Sequence, residues 1–170
     1  VISEELCRCG SCGLVASLGS HGIALPPLAA HGTPEQKDKY LRPVIEGKQV
    51  AALGITEPSG GSDVANLKTT AVKEGDYYIV NGSKTFITSA LHADQLTCAV
   101  RTGGEGAHGI SFLIIDTDSP GYSVSKNLKK MGWWASNTGE IYFDNCKVPA
   151  ENLIGEENMG FYYIMENFQM

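Results

Sequence analysis

Apolar positions change their period twice along the chain. Through residues 1–47 they recur at helical spacing. Leu14, Leu18, Ile23 and Leu25 outline one apolar face, and Pro26-Pro27 breaks it, since a proline ring clashes with the preceding turn. Thr33 then opens a second helix. It is a good N-cap, Pro34 suits the first helical position, and Gln36 stands where a capping box puts its third residue. Tyr40, Leu41, Val44 and Ile45 supply a buried stripe, and Gly47 ends the helix.

From Gln49 to about Leu153 the period is two. Val50–Ile55 is a short apolar run, and Thr70–Val80, interrupted by Glu74-Gly75-Asp76, reads as two strands and a tight turn. Asn81-Gly82 predicts a further hairpin, because both residues tolerate the positive φ of a type I′ turn. Lys84–Ser89, Gln95–Arg101, Ile110–Asp116, Tyr122–Val124 and Gly139–Phe143 continue the strands, with Gly, Asp and Pro between them. So many short strands predict an all-β barrel or sandwich. A polar stretch, Asn152–Gly160, leads into a last helical segment, Phe161–Met170. The order is helix, β, helix, an α+β chain with no internal repeat. It lacks an initiator Met and stops on an apolar-rich segment without a capping signal, so it reads as an internal piece of a longer protein.

Composition narrows the field. A hydrophobic fraction of 42% with 19% charged residues describes a folded chain, not a disordered one. The net charge of −6 and the lack of a basic stripe argue against a nucleic-acid partner. Lys126, Lys129 and Lys130 come nearest and read as a solvated loop face. No uninterrupted apolar run approaches the ~20 residues of a membrane span, and residues 1–13, with three Cys, an Arg and two acids, do not form a secretory signal. Cys7, Cys9 and Cys12, with His21 as a possible fourth ligand, invite a zinc reading. A helix would splay those thiols over more than half its circumference, so no metal site is expected. Small buried thiols in a reducing compartment are expected instead.

Two stretches hold candidate chemistry. In Leu53-Gly54-Ile55-Thr56-Glu57-Pro58-Ser59-Gly60-Gly61-Ser62-Asp63 a strand runs into a glycine loop. Its bare N–H groups can approach a flat or anionic ligand closely, although a plain β-turn explains the loop equally well. In Asn81–Ser89, strand alternation puts Lys84, Phe86 and Thr88 on one face. A ring and a hydroxyl two residues apart suit an aromatic cofactor; ordinary alternation with Phe86 in the core is the simpler reading.

Taken together, these stretches resemble the acyl-CoA dehydrogenase family. The resemblance rests on Ile55-Thr56-Glu57-Pro58-x-x-Gly61-Ser62-Asp63 and Asn81-Gly82-x-Lys84-x-Phe86-Ile87-Thr88. It extends upstream through His31-Gly32-Thr33-x-x-Gln36-x-x-x-Tyr40-Leu41. Downstream it continues through Met131-Gly132, Asp144, Val148-Pro149 and Asn152-Leu153-Ile154-Gly155. It implies the end of an N-terminal helical domain (1–48), a middle flavin-binding β-barrel domain (49–153) and the start of a C-terminal helical domain (154–170). It also implies FAD as cofactor. Leu53, Ile55 and Thr56 would line the isoalloxazine ring. Gly61 and Ser62 would contact the flavin and its phosphates, with Ser62 also facing the substrate thioester. Phe86, Ile87 and Thr88 would cover and hydrogen-bond the ring. Many relatives carry Trp at the place of Phe86, which keeps a stacking face but lacks the indole N–H.

The reaction so implied is α,β-dehydrogenation of an acyl-CoA thioester, with electrons passed to an electron-transferring flavoprotein. Family members work as tetramers or dimers, in bacterial cytoplasm or in mitochondria. Their base is a Glu of the C-terminal domain. In the long-chain and isovaleryl types it would fall just after Met170. Glu166 lies more than one helical turn too early, and Glu57 resembles a structural loop carboxylate. No catalytic residue is therefore assigned, and the chain alone is expected to be inactive. Gly160–Met165 resembles long-chain members, but the acyl group stays open. Phe161, Tyr162 and Ile164 are expected to expose apolar surface. Two other readings stand beside this one: a β-barrel binding module without redox chemistry, and a flavin oxidase or monooxygenase of the same fold.

Overall fold

A computed structural model describes residues 2–169. Helices α1 (Ile2–Cys7), α2 (Cys12–Ala24) and α3 (Pro26–His31) open the chain. Next comes a continuous helical segment made of α4 (Pro34–Gln36), a π turn (Lys37–Leu41) and α5 (Arg42–Ile45). The predicted capping box is present: Gln36 N donates to Thr33 Oγ1 at 3.2 Å, and Thr33 N donates to Gln36 Oε1 at 3.0 Å. Pro43 has no N–H to donate one turn back, and the amide of Arg42 reaches five residues back to the Lys37 carbonyl, which opens the π turn. Gly47 ends the segment at φ +71°.

The helical reading needs four corrections. Pro26-Pro27 does not end the helical stretch; only Leu25 separates α2 from α3, because a proline is tolerated in a first turn. Leu14, Leu18 and Ile23 are exposed, since α2 buries Gly13, Ser20 and Ala24 instead. Tyr40 and Val44 are buried as expected, but Ile45 is 70% exposed. Cys7, Cys9 and Cys12 are also exposed thiols rather than buried ones. Residues 12–31 are long and apolar enough to cross a membrane by length and composition alone. Ala24 and Leu28 join the protein core and Pro27 is buried, while Leu14, Leu18 and Ile23 of the same stretch stay exposed.

Eight strands follow: β1 (Ala51–Gly54), β2 (Thr70–Glu74), β3 (Tyr77–Thr88), β4 (Gln95–Arg101), β5 (Ile110–Asp116), β6 (Tyr122–Val124), β7 (Thr138–Pro149) and β8 (Leu153–Ile154). They form one sheet in the order β6-β7-β3-β2-β4-β5-β8, with β1 pairing β4 in parallel. The sheet is open. Its end strands, of three and two residues, are too short to close a barrel by pairing. It folds over instead. Tyr78, Val80, Ile141 and Phe143 from β3 and β7 share one core with Leu96, Cys98, Leu113 and Ile115 from β4 and β5. The opposite face of β4 and β5, through Ala99, Phe112 and Ile114, packs on Leu28, Tyr40, Tyr163 and Ile164 of the helices.

The β2–β3 hairpin turns at Gly75, φ +59°, where the sequence puts it. Asn81-Gly82 makes no turn. Both residues lie inside β3, at a register shift against β7 between Val80 and Gly82. The last helix, α6 (Gly160–Gln169), lies against β5 and α3. Ile164 is buried there, Phe161 is half-buried, and only Tyr162 of the three expected to be open is exposed. Met170 lies outside the described residues.

Candidate functional site

Two walls are built by β1 and β3. Beyond β1 the chain passes through Ile55 and Thr56 into a tight reverse bridge. Glu57 N donates to the Gly60 carbonyl at 3.1 Å, and Gly60 N returns a bond to the Glu57 carbonyl at 3.0 Å. Gly61 and Ser62 follow on its rim. A Cβ at Gly61 would come 3.1 Å from Thr56 Cγ2, so the loop uses glycine to fold close upon itself. The second wall is the end of β3. Its register on β7 shifts between Lys84 and Ile87, and Thr85 N donates to the Thr56 carbonyl at 2.9 Å, joining the two walls.

That bulge overturns the simple alternation. Lys84, Phe86 and Thr88 do not share a face. Lys84 turns fully inward, while Phe86 adopts φ +58° and is 68% exposed. The reading of Phe86 as a core residue fails for the same reason. A positive φ is costly for a bulky side chain and persists only where the surroundings impose it. Here three neighbours do so: Lys84 is held inside, the Thr85 amide is committed to Thr56, and Ile87 is buried.

Lys84 Nζ donates to Glu57 Oε1 at 2.8 Å and to the Ile55 carbonyl at 3.2 Å. The two side chains are 0% and 3% exposed. Glu57 also accepts from the amides of Lys68 and Thr69. Burial by itself would raise the Glu57 pKa. The Lys84 ammonium and these donors outweigh it and hold the carboxyl at about 2.

Between the walls lies a cleft of about 390 Å³. Leu53, Ile55, Thr56, Gly61, Ser62, Phe86, Ile87 and Thr88, all eight residues singled out from the sequence, line it. Thr56 and Thr88 therefore share one crevice. The remaining lining comes from residues that the sequence reading did not assign to the site: Ser20 and Ile23 of α2, Val64, and Ile164, Met165 and Phe168 of α6. Ser20 Oγ meets Ser89 Oγ at 3.0 Å, which ties α2 to the end of β3. Periodicity puts Ile23 and Ile164 on helices but does not bring any of these residues to the cleft, since they arrive there by helix packing. Nothing in the local pattern announced the Lys84–Glu57 pair, since Lys84 stands among Gly82, Ser83 and Thr85 and reads as an ordinary strand residue.

On α6, Glu166 Oε2 lies 3.0 Å from His31 Nε2, and His31 stacks on Tyr163 with ring centroids 3.8 Å apart. Glu166 is thus engaged with α3. Among the described residues no group of three or more His, Cys, Asp or Glu side chains could hold a metal ion.

Comparison with known proteins gives the same outline across almost the whole chain. Residues 1–48 match the profile of the acyl-CoA dehydrogenase N-terminal domain, and residues 52–146 match that of the middle domain. An acyl-CoA dehydrogenase of Alternaria alternata, AFT10-1, is 48% identical over 99% of this chain and 39% of its own length. The caffeyl-CoA reductase-Etf complex subunit CarC of Acetobacterium woodii is 41% identical over 100% of this chain and 45% of its own length. Among crystal structures, a probable acyl-CoA dehydrogenase of Mycobacterium abscessus superimposes with a TM-score of 0.92 at 56% identity. That alignment covers 94% of this chain and 42% of that one. The chain therefore spans less than half the length of these relatives. With the middle-domain profile covering over half its residues, the chain belongs to the acyl-CoA dehydrogenase family.

Proposed function

We propose that the cleft holds the isoalloxazine ring of FAD and that the full-length protein dehydrogenates an acyl-CoA thioester between Cα and Cβ. One observation supports this above all. Two stretches separated by residues 64–80, each ambiguous alone, meet at one cleft with all eight suspected cofactor residues on its wall. The residues present suit the group. The lining is largely apolar, three hydroxyls (Thr56, Ser62 and Thr88) interrupt it, and the glycine loop admits a flat molecule close to the backbone. When bound, FAD supplies the two-electron acceptor.

The chain's own residues then bind and orient. Phe86 offers a ring face, and Thr56 and Thr88 offer hydroxyls to a polar ring edge. Gly61 and Ser62 offer main-chain amides and a hydroxyl to the flavin phosphates and the thioester. Ile164, Met165 and Phe168 keep water from that side. No residue of this chain is assigned as base; Glu166 is engaged by His31. In this reading residues 1–48, 49–153 and 154–170 are parts of three domains of a longer, homo-oligomeric enzyme. Its electron acceptor would be an electron-transferring flavoprotein, a partner consistent with the Etf complex named for the Acetobacterium relative.

The test uses the full-length protein. It should purify yellow with a flavin spectrum that bleaches under anaerobic acyl-CoA. Thr88→Val should weaken FAD binding on the order of tenfold, the scale of one hydrogen bond to a polar group. A colourless protein that takes up no FAD would leave the binding-module reading. Rapid re-oxidation by oxygen in place of a flavoprotein acceptor would favour an oxidase.

A further inference from the structure

The two walls of the cleft come from separate strands, and a flat cofactor between them requires a fixed spacing. Polar contacts between the walls bear on that spacing. Thr85 N donates to the Thr56 carbonyl. Lys84 turns from β3 toward the loop and donates both to Glu57 and to the Ile55 carbonyl. Glu57 in turn accepts from the Thr69 amide at 2.9 Å and from the Lys68 amide, anchoring the far side of the same loop. The pair is sealed from water, so both charges must be matched for either to remain. Where Lys84 turns inward, the strand has to slip, and two residues later Phe86 is thrown into the left-handed region and out to the rim.

We propose that Lys84 and Glu57 are positioning residues for the cofactor. Their buried ion pair sets the distance between the Thr56 wall and the Thr88 wall and holds Phe86 in its outward, left-handed conformation. The proposal rests on the flavin reading above for its ligand, and on the geometry alone for its mechanism. Neither side chain lines the cleft; they act through Ile55, Thr56 and Phe86. A hydrophobic pair of similar volume would fill the space, but it would not fasten the Ile55 carbonyl to β3.

The experiment compares full-length wild type, Lys84→Met, Glu57→Gln and the double variant Lys84→Met/Glu57→Gln. Lys84→Met alone leaves a carboxylate buried without its cation and should lower the unfolding midpoint sharply. The double variant removes both charges, keeps an acceptor for the Thr69 amide, and should regain much of that midpoint. It should nevertheless bind FAD on the order of tenfold or more weakly, as a small displacement of a positioning wall does. Its bound flavin should give an altered visible circular dichroism spectrum, and the segment around Thr85 should exchange amide hydrogens faster. Glu57→Gln should move the same readouts in the same direction. A double variant with a recovered midpoint and wild-type FAD affinity, flavin spectrum and Thr85 exchange would overturn the proposal, leaving the pair a packing feature. Should wild type take up no FAD, the flavin reading fails by itself. Exchange at Thr85 then decides the positioning claim: faster in the double variant upholds it, and unchanged refutes it.

Discussion

Glu57, behind the wall of the cleft, is held ionised by a buried partner. Its carboxyl titrates at about 2 in the folded protein against an ordinary 4.5. A depressed folded pKa means stability that is fully present above the unfolded value and lost as pH falls toward the folded one. The difference amounts to about 3 kcal/mol, disappearing between about pH 5 and pH 2. Urea unfolding of the wild-type protein should therefore show a midpoint falling steeply through that window. Glu57→Gln should be less stable at pH 7 and should lose much of the pH dependence; an equal acid slope in both proteins would contradict the pairing. Sequence marked Glu57 as a loop carboxylate and Lys84 as a strand residue, but not that they meet. Nothing local links positions twenty-seven residues apart. Phe86 is a similar case, since alternation assigns it a face and only the inward pull on Lys84 takes that face away.

Elements built from local rules were the most legible. The capping box at Thr33 has its two reciprocal bonds, and Gln36 goes further, donating Nε2 to the carbonyls of Glu151 and Leu153 at 2.6 and 2.8 Å. Thr33→Ala should cost about 1 kcal/mol by thermal or urea unfolding, as other N-cap deletions do. Gln36→Ala should cost more, because it also takes the donor from two part-buried carbonyls. Strands β4, β5 and β6 begin and end where alternation puts them. Asn81-Gly82 failed for a tertiary reason. A Cβ at Gly82 would lie 2.7 Å from Thr69 Cα, and Asn81 Oδ1 accepts from Asn145 N at 2.8 Å. The tolerance for unusual φ that predicts a turn serves here to let two strands and a loop come close, with Gly82 at φ +142°.

The whole molecule is a folded-over open sheet with helices on one side, and it leaves a distinct apolar surface uncovered. Leu14 and Leu18 on α2 are exposed, and in the loop before β7 Trp133 and Trp134 are 63% and 79% exposed. These are the chain's two tryptophans, so all of its tryptophan emission reports on that loop. Iodide should quench nearly all of the emission of the 170-residue chain, and its maximum should lie at the red end expected of wet indole. Blue-shifted, unquenched emission would show the loop folded in rather than out.

The sequence by itself determined what depends on near neighbours. The helix end at Gly47, the capping box, the Gly75 hairpin and the bounds of β4, β5 and β6 follow from period and from backbone chemistry within a few residues. It also led to the eight cleft residues, but only through the family resemblance that the glycine loop and the Asn81–Thr88 stretch carry together; each stretch alone left a plainer reading open. Tertiary structure alone decided whether the sheet closes, which face Phe86 takes, what partners Lys84, and which helices complete the cleft. Those outcomes depend on contacts between residues far apart in the chain. Burial and charge pairing are settled there by the fit of whole elements and not by any local preference.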